Sequence, residues 1–235
     1  MIDLKGYGPA LAEGAVVTIE LALLSLLLAL TLGLAGAAAK LSANPLARMA
    51  ASTYTTLIRG VPDLVMMLLL FYGGQVTVNA LSDLLYEHYG IDFFIQFEPF
   101  AAGVLTIGLI FGAYMTETFR GAFLAVDAGQ IEAARAYGFT RWHTFRRVMI
   151  PQMMRHALPG IGNNWQVLLK TTALVSIIGL TDMVRIADEA AKAERSPFLF
   201  FIPVAAVYLG LTAISELFIK WLNKRANRGV AGEAR

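Results

Sequence analysis

Long apolar runs, separated by short charged connections, set the pattern of this chain. Five runs stand out: about 14–39, 53–76, 99–119, 157–180 and 198–219. A helix needs about 20 mostly apolar residues to cross a bilayer core. Within lipid, only helices and closed barrels satisfy their own backbone groups. These runs are too long, and alternate too little, to be barrel strands. The pattern therefore predicts an all-α membrane protein with five transmembrane helices in one domain over residues 1–235. The first run far exceeds the roughly 7–15 residues of a secretory signal core, so it reads as a retained span.

Charge orders these spans. Lys and Arg gather in the 40–52 connection (Lys40, Arg48) and in 120–156 (Arg120, Arg135, Arg141, Arg146, Arg147, Arg155). They also fill the tail (Lys220, Lys224, Arg225, Arg228, Arg235), whereas 77–98 holds Asp83, Glu87, Asp92 and Glu98 and no basic residue. The 181–197 connection is mixed. Basic connections face the cytoplasm, so the alternation predicts the N-terminus outside and the C-terminus inside. Within the first span Ala29, Gly33 and Ala37 repeat every four residues, beside Gly36. Such spacing allows close helix approach, although small residues are common in membrane helices generally.

The segment 120–156 is thus placed on the cytoplasmic face. Asp127 suits a helix N-cap, with Gln130 positioned to close a capping box. Glu132 falls in the first turn, where a carboxylate suits the helix dipole. Gly138 fits a left-handed stop, Thr140 caps a second helix, and Pro151 is expected to end it. Phe139, Trp142 and Phe145 recur every three residues as an aromatic stripe, with Arg141, Arg146 and Arg147 off it. The flanking spans hold this hairpin at the membrane surface and argue against nucleic acid. A lipid-lying hairpin and a docking element for a cytoplasmic partner both remain open on pattern alone.

Composition narrows the chemistry. The chain is 57% hydrophobic and 15% charged, against about 25% charged in soluble domains. It has no cysteine, which excludes disulfides and thiolate catalysis. His88, His143 and His156 lack metal-ligand spacing. No Walker phosphate loop is present, and no Ser/His/Asp arrangement argues for an enzyme. No catalytic, metal or cofactor site is expected in this chain.

Polar groups inside spans must face protein or water. Arg59 and Asp63, four apart, are expected to pair around a kink at Pro62. Glu117 with Arg120, and Glu216 with Lys220, read as structural pairs. Asn163, Gln166 and Lys170 share one face of the fourth span, a polar face at membrane depth that suggests a translocation path. Lys170 is expected to pair with Glu20 or Glu117, or to bind a carbonyl.

The sequence "EAARAYG", nine further residues, then "VMIP" resembles the EAA loop of ABC importer membrane subunits. Glu132, Ala133, Ala134, Gly138 and Pro151 match that motif, while Val148 and Ile150 replace its Ile and Leu. The resemblance runs from about residue 10 to 225. "AYMTETFRGAFLAVDAGQIEAARAYGF" is similar to the polar amino acid uptake branch. "TTLIRGVPDLVMMLLLFYGGQ" and "LPGIGNNWQVLLKTTALVSIIGL" resemble its histidine/lysine/arginine/ornithine subgroup, in the Q-type subunit. The resemblance implies a permease for basic amino acids in a bacterial inner membrane. Another polar amino acid, such as glutamine or glutamate, is the alternative. It implies a coupling helix docked on an ATPase, with Phe139 and Trp142 as apolar anchors. It also implies a second membrane subunit (a paralogue rather than a second copy), two ATPase subunits that bind ATP and magnesium, and a periplasmic binding protein. Under it, Glu20 becomes an anionic contact for a cationic substrate, and Asn163 and Gln166 become path residues. A membrane-bound scaffold and an ion-coupled carrier are the rival classes. Carriers often show inverted repeats, and none is evident here.

Overall fold

In the computed structural model residues 4–91 and 98–227 are described, and every regular element among them is helical. The helices are α1 (Gly8–Leu41), α2 (Pro45–Gly60), α3 (Asp63–Tyr89), α4 (Pro99–Leu124), α5 (Ala128–Ala136), α6 (Arg141–Ile178), α7 (Met183–Ala193) and α8 (Pro197–Ala226). Four of them, α1, α3, α4 and α8, are long and apolar enough to cross a membrane alone. The pair α6 and α7, bent by 54°, qualifies together as a fifth. Asp92, Arg228 and Arg235, which enter the charge alternation, lie outside the described residues.

The central helix is α4. Buried positions make up 61% of its most apolar stretch, against 11% for α3 and for α8. Leu21 of α1 joins Ile107, Ile110, Phe111 and Met115 of α4 and Leu168 and Leu169 of α6 in one core. The small residues of α1 serve this packing. A Cβ on Gly33 would stand 3.0 Å from the backbone carbonyl carbon of Met115. On the other side of the contact, a Cβ on Gly112 would meet Leu32 Cβ at 2.9 Å and Tyr54 Oη at 2.8 Å. The small-residue stripe therefore works inside the chain, against α4. Gly33→Val is expected to destabilise the fold by about 1–3 kcal/mol through overpacking. Gly60→Ala, which meets nothing within 4 Å, should melt with the wild type. Thermal unfolding in detergent tests the difference.

Three expectations need correction. The run 53–76 is not one helix. Pro62 lacks an N–H and disfavours helix at the residue before it, so α2 stops at Gly60 and α3 restarts at Asp63. Arg59 consequently does not pair with Asp63. Its guanidinium lies over the Tyr114 ring, 5.5 Å from the centroid. Pro151 does not end a helix either. A π-turn over Phe145–Met149 precedes it, with the Ile150 N–H donating to Phe145 O. The widened turn absorbs the donor that proline lacks, and the helix runs on. Finally, the 181–197 connection holds α7. Asp182 caps it by accepting from Arg185 N–H at 2.9 Å. Its face of Met183, Ala187, Ala190 and Ala191 packs with Leu11, Phe200 and Val204.

Contacts between helix ends mark the two ends of the bundle. The starts of α1 and α8 meet at α7, with Tyr7 and Phe200 edge-to-face at 5.4 Å. At the opposite end Arg155 Nε donates to Ala226 O at 2.8 Å.

Candidate functional site

Two features project from this frame. The first is the segment joining α4 to α6. Asp127 Oδ1 accepts from Gly129 N–H at 2.6 Å and starts α5. The helix ends in a Schellman motif: Gly138 N–H donates to Arg135 O at 2.9 Å and Phe139 N–H to Ala134 O at 3.1 Å. Gly138 adopts φ +81°, a region that residues with a Cβ rarely occupy. Thr140 Oγ1 then accepts from His143 N–H at 3.3 Å and starts α6. The caps expected at Asp127 and Thr140 and the stop at Gly138 thus form, with a turn of fixed handedness between the two helices, whereas the Gln130 side chain closes no capping box among the described residues.

Glu132, Ala133 and Arg135 are exposed on α5, while Ala134 is buried toward the bundle. Phe139, Trp142 and Phe145 are 39%, 63% and 37% exposed, and Trp142 stacks on Phe145 with centroids 6.0 Å apart. Tyr137, which the three-residue periodicity passes over, is 87% exposed. Four aromatic rings thus crowd the surface around one glycine turn. Such a patch marks a contact surface. Pro151 is exposed but lies on α6, six residues beyond Phe145, the last ring of the stripe.

The second feature is a trench of about 480 Å³ between α6 and α8. Asn163, Gln166 and Lys170 line one wall, and Thr212, Glu216 and Lys220 the other. The two helices run antiparallel, fixed by Gln166 Nε2 donating to Thr212 O at 3.3 Å and by Thr172 and Tyr208 hydroxyls 3.1 Å apart. Glu216 and Lys220 pair at 2.7 Å. The α6 wall is the polar face seen in the sequence; on the α8 wall the expected Glu216–Lys220 pair is present, but its place opposite α6 left no local signal. Glu20 is not part of the trench. It is exposed on α1, among Val16, Leu23, Leu24 and Leu27, and has no hydrogen-bond or ion-pair partner among the described residues.

Nor does Lys170 pair with Glu20 or Glu117. Glu117 is taken by Lys40, which also donates to Thr55 Oγ1 at 2.6 Å, and by Arg120 Nε at 3.0 Å. This cluster ties α1, α2 and α4 at the end of the bundle nearest α5. The expected Glu117–Arg120 pair is present, but Lys40, 77 residues away from Glu117, gave no local signal.

A family model described as "binding-protein-dependent transport system inner membrane component" matches residues 14–228. The chain is 53% identical over 227 residues to the histidine/lysine/arginine/ornithine transport system permease protein HisQ of Salmonella typhimurium, covering 97% of each chain. It is 39% identical over 225 residues to the octopine transport system permease protein OccQ of Rhizobium meliloti, covering 96% of this chain and 93% of that one. Among solved structures, an amino acid ABC transporter crystallised with histidines matches at TM-score 0.76 and 32% identity, over 93% of this chain and 95% of that one. The inward-facing MetNI methionine ABC transporter matches at TM-score 0.69 and 16% identity, over 94% and 98%, a likeness of fold alone.

Proposed function

Because the chain belongs to the family of binding-protein-dependent transport system inner membrane components, we propose that it is the permease subunit of an ABC importer for basic amino acids: histidine, arginine, lysine and ornithine. The observation that carries this reading is 53% identity to a permease of that name across nearly the whole chain. The polar trench supports it, since a file of polar and charged side chains on a spanning helix pair needs cover from protein or water. Asn163 and Gln166 line the substrate path, and Glu20 serves as a separate contact on α1.

In this reading the membrane is the bacterial inner membrane, with the N-terminus outside and α5 in the cytoplasm. A second, paralogous membrane subunit completes the path. Two ATPase subunits bind ATP and magnesium, and a periplasmic binding protein supplies the amino acid. The patch of Glu132, Ala133, Gly138, Phe139 and Trp142 docks on an ATPase subunit. Closure of the ATPase pair pushes on α5, and the short turn from α5 into α4 carries that push to the core helix. The glycine turn carries it equally into α6, the wall of the trench.

Reconstitution in proteoliposomes tests the proposal. The chain is combined with its candidate membrane, ATPase and binding-protein partners, and uptake is measured for six amino acids. Arginine, lysine, ornithine and histidine should each stimulate ATP hydrolysis and accumulate. Stimulation by glutamine or glutamate in their place would transfer the assignment to another polar amino acid.

A further inference from the structure

We propose that the C-terminal end of α8 holds an anionic phospholipid. Lys224 and Arg225 take its headgroup phosphate, Trp221 sits at its glycerol level, and an acyl chain lies along Ile214, Leu217 and Phe218. This goes beyond the transport reading and rests only on α8 crossing a membrane.

Helical spacing builds the apolar part. Ile214, Leu217, Phe218 and Trp221 recur at three and four residues, so they share one face of α8. Each is half exposed or more. The trench-lining Thr212, Glu216 and Asn223 lie about half a turn around the helix. The side that meets α6 carries Tyr208, Ile219 and the Ala226 carbonyl. The stripe therefore points away from both α6 and the trench. From Ile214 to Trp221 it spans about 10 Å of helix axis, most of one leaflet's half of a roughly 30 Å hydrocarbon core.

Polarity changes at the foot of the stripe. Lys224 and Arg225 follow Trp221 by three and four residues, one on each side of the indole. The Arg225 guanidinium lies over the Trp221 ring, 5.5 Å from its centroid, and Trp221 stacks on Phe218 at 5.8 Å. Arg155 holds the last turn in place from the opposite side through Ala226 O. Both cations are exposed and lack an acidic partner among the described residues, because Glu216, the acid of α8, is paired with Lys220. A helix C-terminus favours cations by its dipole alone. The dipole gives no reason for an indole flanked by two cations at the end of an apolar stripe. A lipid does. Its chain covers the stripe, its glycerol level is where tryptophan is favoured, and its phosphate lies within reach of snorkelling Lys and Arg. Two uncompensated cations match a headgroup of net negative charge, and not a zwitterion whose own amine balances its phosphate.

The test uses the assembled transporter, purified in detergent and given phosphatidylglycerol and phosphatidylcholine in equal amounts. Native mass spectrometry counts the lipids retained on this subunit. Phosphatidylglycerol should be retained about 25-fold over phosphatidylcholine, about fivefold for each cation. Lys224→Gln and Arg225→Gln should each lower that preference about fivefold, and together they should abolish it. Lys220→Gln removes the same charge from a neighbouring position that is already paired, and should change the preference less than about twofold. Equal yields of complex on gel filtration separate these effects from misfolding. Equal retention of the two lipids by the wild type overturns the site, as does a Lys220→Gln effect as large as that of Lys224→Gln. Loss of the ATPase subunit from the double variant at unchanged lipid preference overturns it too, and assigns the patch to a protein.

Discussion

Glu132→Lys and, separately, Gly138→Val should each reduce uptake to background and remove substrate-stimulated ATP hydrolysis, with the subunit still inserted and folded. The two substitutions act on different physical quantities. Glu132 is an exposed carboxylate on the second turn of α5, one turn later than the sequence pattern places it, because the helix starts at Ala128. Its side chain is exposed, so reversing its charge leaves the fold intact. Any partner surface complementary to the acid now meets repulsion. Gly138 contributes no side chain. It contributes the left-handed turn that sets α5 against α6, with φ +81° and open space around it. Valine is sterically excluded from that conformation, so the aromatic cluster loses its fixed arrangement. Anchor residues of a docking patch are each worth about 2 kcal/mol or more, roughly thirtyfold in affinity. Trp142→Ala, which removes the most exposed ring of the stripe, should therefore fall between wild type and the two severe variants. The check is paired: ATPase stimulation by loaded binding protein, and co-purification of the ATPase subunit. Normal uptake by both severe variants would sink the docking role of this segment.

Much of this was legible in the sequence because the relevant signals are local. Span length follows from apolar run length, and the caps at Asp127 and Thr140 follow from residue type. The stop at Gly138 follows from the one residue suited to φ > 0. The misses share a different cause. A proline has two opposite outcomes here. At Pro62 it divides a run into α2 and α3, whereas at Pro151 the helix continues. The difference lies in the π-turn at 145–149, which exists only in three dimensions. Averaged hydropathy also conceals a sparse polar file. Thr212, Glu216 and Lys220 sit on a helix otherwise rich in Leu, Phe and Ile, and only the facing α6 turns them into a trench wall. α7 went unread as a helix because its apolar face is largely alanine. Ion pairs between distant helices leave no periodic trace, and for that reason Lys40 was missed.

That missed lysine carries the second large effect. Glu117→Gln should destabilise the isolated subunit by about 1–3 kcal/mol, less than removing one partner from a fully buried pair, because this pair is partly buried. The Lys40 and Glu117 side chains are 12% and 21% exposed, so the stranded Lys40 cannot easily regain water. Arg120, at 40%, can turn outward. The remaining partner of Lys40 is the neutral Thr55 hydroxyl, which does not offset a full charge. Removing both charges, as in Lys40→Met with Glu117→Gln, takes away the desolvation cost together with the attraction, and such replacements are often close to neutral. The expected order of melting temperature is therefore wild type, then the double variant, then Glu117→Gln well below both. Transport is expected to depart from that order. The pair joins α1 and α2 to α4, three turns or less from the start of α5. A neutral contact restores packing there without the directional link. In the double variant, ATP hydrolysis should then exceed uptake relative to the wild-type ratio. A double variant less stable than Glu117→Gln would show that the lysine matters for its packing, and a wild-type coupling ratio would confine the cluster to stability.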